Sequence, residues 1–163
     1  MRALLAGKPV LQHVLDAVLA SGLPWHLEDA GHPGMGDSIA AAVRATRDAN
    51  GWLILPGDLP LIQGATLRRL ADALKGALAD GLKDAAEKYQ VVIPVCNGQR
   101  GHPVGFSAAC RDSLLGLIGN QGAARVIGSY KAIEIAVNDI GCVTDVDTVQ
   151  DLERAQALLD ARQ

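Results

Sequence analysis

The sequence predicts an α/β domain with a mostly parallel sheet, and three observations carry that prediction. Short β-prone runs alternate with alanine- and leucine-rich stretches of helical periodicity, the pattern of strands joined by crossover helices. One run, Trp52 to Pro56, is apolar without a break, which suits a central strand covered on both faces. The chain has 163 residues, 49% of them hydrophobic and 20% charged, the size and make-up of one globular domain. At that length roughly 70% of the surface exposed by the unfolded chain can be buried, so the core needs no covalent staple.

The elements follow in order. Residues 2–6 predict a short strand. Residues 10–20 place Val10, Val14, Ala17 and Val18 at helical spacing behind Pro9, a residue favoured in a first helical turn. Residues 24–28 read as a strand leading into the glycine-punctuated loop AGHPGMGDS, where Asp37 or Ser38 caps a helix running to about Ala49. Beyond the apolar strand, residues 67–78 are helical, and the polar stretch to Lys88 is a second short helix or an exposed insertion. Residues 91–95 form the next strand, ending at the loop CNGQRGHP. Residues 107–117 and 122–129 look helical, while 132–137 and 142–144 look like short strands. The last helix, in TVQDLERAQALLDA, opens with Thr148 and Asp151 at capping-box spacing, with Val149, Leu152, Ala155, Leu158 and Leu159 as its apolar positions.

Composition excludes several classes of function. With 15 Lys+Arg against 18 Asp+Glu, a net charge of -3 and 3% aromatics, the chain has neither the basic face nor the stacking platforms of a nucleic-acid binder. No apolar run approaches the ~20 residues that span a bilayer, and no signal-peptide order of segments opens the chain, so a cytoplasmic protein without membrane contact is expected. Cys96, Cys110 and Cys142 are odd in number and lack metal-ligand spacing, against a disulfide framework or a structural zinc site.

In an open parallel sheet, ligands bind beyond the carboxyl ends of the strands, so residues just after strands are the first candidates for function. In LILPGDLP, Gly57 lets the chain turn and Asp58 projects at the sheet edge, where a carboxylate suits a magnesium ion holding substrate phosphates. In CVTDVDTVQD, Asp145 and Asp147 follow a short strand; at most one is expected to face the site, completing a metal site with Asp58 while the other caps or braces. In GHPGMGDSIAAAV a glycine-rich turn enters a helix N-terminus, whose free N–H groups suit an anion or the edge of a base. A dinucleotide fingerprint fails there, because Ile39 stands where the third glycine belongs and the preceding strand ends too early. Asp145-Val-Asp147-Thr-Val149 also fits the nucleophile loop of haloacid-dehalogenase-like phosphatases, but that loop belongs at the first strand and here it follows the last.

Taken in order, GKPVLQHVL, GMGDSIAAAV, LILPGDLPLI, GHPVGF, GNQGAARVI and VTDVDTVQDL resemble the MobA-like NTP transferase family, the molybdenum-cofactor cytidylyl- and guanylyltransferases and their relatives. The resemblance is collinear over nearly the whole chain. It implies one nucleotidyltransferase domain over residues 1–163, folded as a Rossmann-like three-layer α/β/α sandwich of the nucleotide-diphospho-sugar transferase type. It implies transfer of a nucleoside monophosphate from CTP or GTP to a phosphorylated pterin such as molybdopterin, with Mg²⁺ and release of pyrophosphate, and contact with a molybdoenzyme or its chaperone. By position, Asp58 would be the principal and catalytic magnesium ligand, with Asp145 or Asp147 the second. Gly34, Met35, Ser38 and Gly57 would lie near the nucleotide, and Gly101, His102, Pro103, Gly122 and Arg125 would line the acceptor side. The chain departs from the family at its start: MRALLA runs straight into GKPVLQ, without the long glycine-rich loop whose backbone and basic side chains hold the triphosphate. One βα unit between the first helix and residues 24–28 is also missing. Asn120 stands where many members have Asp. These departures raise the alternative of a catalytically silent relative that binds nucleotide or a partner.

Overall fold

The computed structural model describes residues 4–76 and 89–162. Strands β1 (Leu4–Leu5) and β2 (Lys8–Pro9) pair antiparallel across a tight turn at Ala6 and Gly7, whose φ angles of 49° and 77° are left-handed. Helix α1 (Val10–Ser21) follows directly, burying Val10 and Val14, and ends at Gly22. Then come α2 (Met35–Ala45), β3 (Gly51–Ile54), α3 (Gly64–Leu74), β4 (Val91–Cys96), β5 (Gln99–Arg100) and β6 (Val104–Ser107). A 3-10 turn at 108–110 leads into α4 (Arg111–Leu115), followed by α5 (Ala124–Ile127), β7 (Ala132–Ala136), a second 3-10 turn at Ile140–Val143 and α6 (Val149–Asp160).

The sheet is mixed. Its strand order is β3-β6-β4-β5, with β7 also on β4. The pairing makes β3, β4 and β7 run in one direction, the parallel frame expected of the fold, while β5 and β6 run against it. Alternation along the strands divides the core in two. Trp52, Val91, Ile93, Val104 and Phe106 face Ile39 and Val43 of α2 and Leu114 and Val126 of α4 and α5. Val92 and Ile135 face Leu70 and Ala73 of α3 on the other side. Helices on both faces of one sheet make the three-layer α/β/α sandwich. A separate cluster of Leu5, Val10, Leu61, Val146 and Ala155 ties the N-terminal hairpin and α1 to α6.

Several expectations are corrected. Residues 24–28 are not a strand: they lie outside every ladder, because their backbone pairs with no described strand, β3 included. For the same reason β3 is not central, having β6 as its one strand neighbour among the described residues. Residues 142–144 are not a strand: Cys142 and Val143 are wound into the 3-10 turn and Thr144 follows it, since the Asp139 side chain accepts from the Gly141 N–H and the Cys142 N–H donates to the Asp139 carbonyl. Strand β6 was not foreseen; its four residues include Gly105 and follow a loop without a break in hydropathy. Neither Asp37 nor Ser38 caps α2; the N-cap is Gly34, and the helix stops at Ala45. Val149 is 73% exposed and does not join the apolar face of α6, although the Thr148–Asp151 capping box is present. The expected helix or insertion up to Lys88, and the first residues of the expected opening strand, lie outside the described residues.

Candidate active site

The antiparallel register sets Ile54 opposite Val104, so the end of β3 and the start of β6 meet at one edge of the sheet. Asp58 lies just beyond the first and His102 just before the second. The Asp58 carbonyl accepts the Val146 N–H at 2.9 Å, and Val146 is 1% exposed within the cluster of Leu5, Val10, Leu61 and Ala155. The Asp-Val-Asp segment is thus pinned by its middle residue. In extended backbone, residues i and i+2 share a face, so burial of Val146 leaves Asp145 and Asp147 exposed together. The two carboxylates thus share an exposed side of the segment, and the charges of both act on Asp58. Gly57 does not have the left-handed backbone that would demand glycine, and the crowding a side chain would meet there is the end of Leu11.

The electrostatics follow from this grouping. Burial raises the Asp58 pKa above the ordinary range, the charges of Asp147 and Asp145 raise it further, and a backbone hydrogen bond and His102 partly oppose them. Partial desolvation lowers the His102 pKa, against the pull of Asp58 and Asp145, although the residue stays exposed. Its position is set by backbone: the Gly101 N–H donates to the Pro94 carbonyl at 2.9 Å and the His102 N–H to the Cys142 carbonyl at 2.8 Å. A Cβ at Gly101 would lie 2.2 Å from the Cys142 oxygen, so only glycine permits this approach. Pro103 is buried behind it. No group of three or more His, Cys, Asp or Glu side chains among the described residues forms a metal cluster by itself. Asp58, Asp145 and Asp147 offer hard oxygen donors, and the like charge that acts on Asp58 is one a cation would relieve.

A second grouping forms at the N-terminus of α2. The Gly36 N–H donates to the Gly119 carbonyl at 2.8 Å, and the Asp37 carboxylate accepts the Gly119 N–H at 2.9 Å. A Cβ at Gly34 would lie 2.2 Å from the Gly119 backbone, and one at Gly122 would lie 3.6 Å from the Met35 sulfur. Gly34 is therefore held against Gly119 and Met35 lies beside Gly122, whose carbonyl accepts the Arg125 N–H of α5. No hydrogen bond among the described residues joins this grouping to Asp58.

A MobA-like NTP transferase domain model matches residues 2–133. The chain belongs to that family. Among curated relatives, the bifunctional protein GlmU of Dechloromonas aromatica is 34% identical over 98 residues, covering 46% of this chain and 22% of its own. The chain thus spans about a fifth of the length of such relatives. Among solved structures, molybdopterin-guanine dinucleotide biosynthesis protein A from Archaeoglobus fulgidus superposes with a TM-score of 0.67 at 15% identity, over 98% of this chain and 90% of that one. Rv0371c from Mycobacterium tuberculosis, in complex with manganese, gives 0.70 at 21% identity, over 93% and 87%. These likenesses show the fold, and the family is that of nucleotidyltransferases.

Within this MobA-like domain, two further features bear on the site, of which the first was not foreseen from sequence and the second was. The first is Asp139, 2% exposed, whose carboxylate accepts from the Gln63 N–H, the Thr66 hydroxyl and the Gly141 N–H at 3.0, 2.7 and 3.0 Å. It fastens the turn that holds His102 to the start of α3, and the Asp-x-Gly spacing was its available signal. The second is the closed Ala6–Gly7 turn, which stands where the family's phosphate loop belongs. Its neighbour Lys8 is paired with Asp16 of α1.

Proposed function

We propose that this MobA-like domain is a nucleotidyltransferase that binds a nucleoside triphosphate, CTP or GTP, and passes its nucleoside monophosphate to a phosphorylated acceptor such as molybdopterin. The reading is supported by the Val146 N–H bond to the Asp58 carbonyl, which ties the Asp145–Asp147 segment to Asp58, and by the charges of Asp145, Asp147 and His102 that act on Asp58. These carboxylates would hold Mg²⁺, which typically takes one or two protein carboxylates and completes its shell with substrate phosphates and water. Bound there, the ion would neutralise the phosphate oxygens during in-line attack on the α-phosphorus. Gly34, Met35, Ser38 and Gly57 would border the nucleotide. Gly101, His102, Pro103, Gly122 and Arg125 would border the acceptor, with the backbone bonds at Gly101 and His102 fixing that wall.

A second reading is favoured by the closed Ala6–Gly7 turn: without the triphosphate loop, the chain would bind nucleotide or a partner and transfer nothing. Calorimetric titration with CTP, GTP and ATP, with and without Mg²⁺, tests the site. Binding that requires Mg²⁺ and fails in Asp58→Asn is expected, and binding indifferent to both would overturn it. Pyrophosphate release on adding the pterin acceptor then separates the transferase from the silent binder.

A further inference from the structure

Two features of the fold are incomplete in complementary ways. The Ala108 N–H donates to the Asn50 carbonyl across the β3–β6 ladder. Antiparallel alternation then turns the backbone groups of Gly51, Leu53 and Leu55 outward, away from β6. None of these makes a further hydrogen bond among the described residues. The strand carries no charge, no bulge and no proline before Pro56, which are the usual protections of a free edge. Its composition is that of an interior strand.

The other feature is the segment Pro24 to Glu28. Its sequence alternates as a half-buried strand does, with Leu23, Trp25 and Leu27 on one side and His26 and Glu28 on the other. Its backbone makes no hydrogen bond among the described residues, and Trp25 and Leu27 are 52% and 38% exposed. On the polar side, the Glu28 carboxylate meets the His26 and His32 rings at 3.2 and 2.9 Å, which holds the segment in shape without covering its apolar side. Leu23, Leu53 and Leu55 all pack against the cluster of Ile62, Leu67, Cys96 and Cys142, so the segment leaves the same core that β3 borders, yet it does not lie along that strand.

We propose that a second copy of this chain completes both features: residues 24–28 of each copy add as a strand to the outer edge of β3 of the other, burying Trp25 and Leu27. The donor and the acceptor reside on one sequence, so the exchange is reciprocal and closes as a two-fold dimer. The backbone ladder supplies the pairing and the two apolar side chains its specificity.

Sedimentation equilibrium of the unmodified protein is expected to give twice the 17.0 kDa chain mass at micromolar concentration, and Leu27→Lys, at an exposed position, the single mass. A monomer at all concentrations overturns the proposal, as does a dimer that Leu27→Lys leaves intact. Oxidative cross-linking identifies the pairing. Mixed Trp25→Cys and Leu53→Cys proteins are expected to form a cross-linked dimer. Dimer from Leu53→Cys alone, which would mean β3 pairing with its own copy, overturns the proposal. An internal disulfide in the double variant, which would mean docking within one chain, does so equally.

Discussion

Asp58, partly buried, and Asp139, fully buried, show two settings for a carboxylate in one fold. Asp58 is raised by burial and by its like-charged neighbours, so ionising it opposes folding. Because its folded pKa lies above its unfolded value, the stabilisation is fully present below the unfolded pKa and is lost as pH rises through the folded one. Cation-free protein should therefore lose stability across that window, and Asp58→Asn, which cannot ionise, should flatten the loss in urea midpoints measured against pH. Mg²⁺ affinity should rise over the same window, since cation and proton compete for one carboxylate; calorimetry at several pH values checks this. Asp139 accepts from the Gln63 and Gly141 N–H groups, the Thr66 hydroxyl and the Gln63 side-chain amide and pairs with Arg162, and removing it strands the two N–H groups and the hydroxyl. Asp139→Ala should cost about 3 kcal/mol or more in denaturant unfolding, with Asp139→Asn less damaging.

At the scale of elements, close backbone approach decides as much as side-chain packing. The start of α2 touches the Gly119 loop at a distance that leaves no room for a methyl group at Gly34. Gly34→Ala should destabilise by about 1–3 kcal/mol and loosen the loop, read as faster amide exchange at Gly36 and Gly119. Thr148→Ala should cost about 1 kcal/mol, because it removes the hydroxyl of the α6 capping box that accepts the Asp151 N–H, although the backbone N–H of residue 148 still donates to the Asp151 carboxylate. That box was legible in the sequence, as were α1, α3, β4 and β7, because caps and apolar periods are local. Asp58 and His102 were legible as site candidates because each sits where a strand meets a loop. What stayed hidden was non-local. The antiparallel insertion of β6, the winding of residues 140–143 by Asp139 and the unpaired state of residues 24–28 all depend on which strand finds which neighbour. The shared orientation of Asp145 and Asp147 was there to be read in the two-residue period, once Val146 is recognised as the buried member.

For the whole molecule, Val146 is the joint between core and candidate site. Its side chain packs with residues from the N-terminal hairpin, α1 and α6, and its N–H holds the loop of Asp58. Val146→Ala should cost about 2 kcal/mol through lost burial and the cavity left behind, and should weaken Mg²⁺ binding although no ligand is altered. Thermal unfolding and titration of the same variant would show both effects together, and loss of stability with unchanged affinity would mean the carboxylates are positioned by other contacts. The same cluster bears on how the protein is made. Leu5 and Val10 leave the ribosome early, while Val146 and Ala155 emerge on the order of ten seconds later at ~10 residues per second. Through that interval the nascent chain carries an apolar patch whose cover has not been synthesised, and the Asp58 loop waits with it, so the carboxylate edge is assembled only when translation of this domain is nearly done.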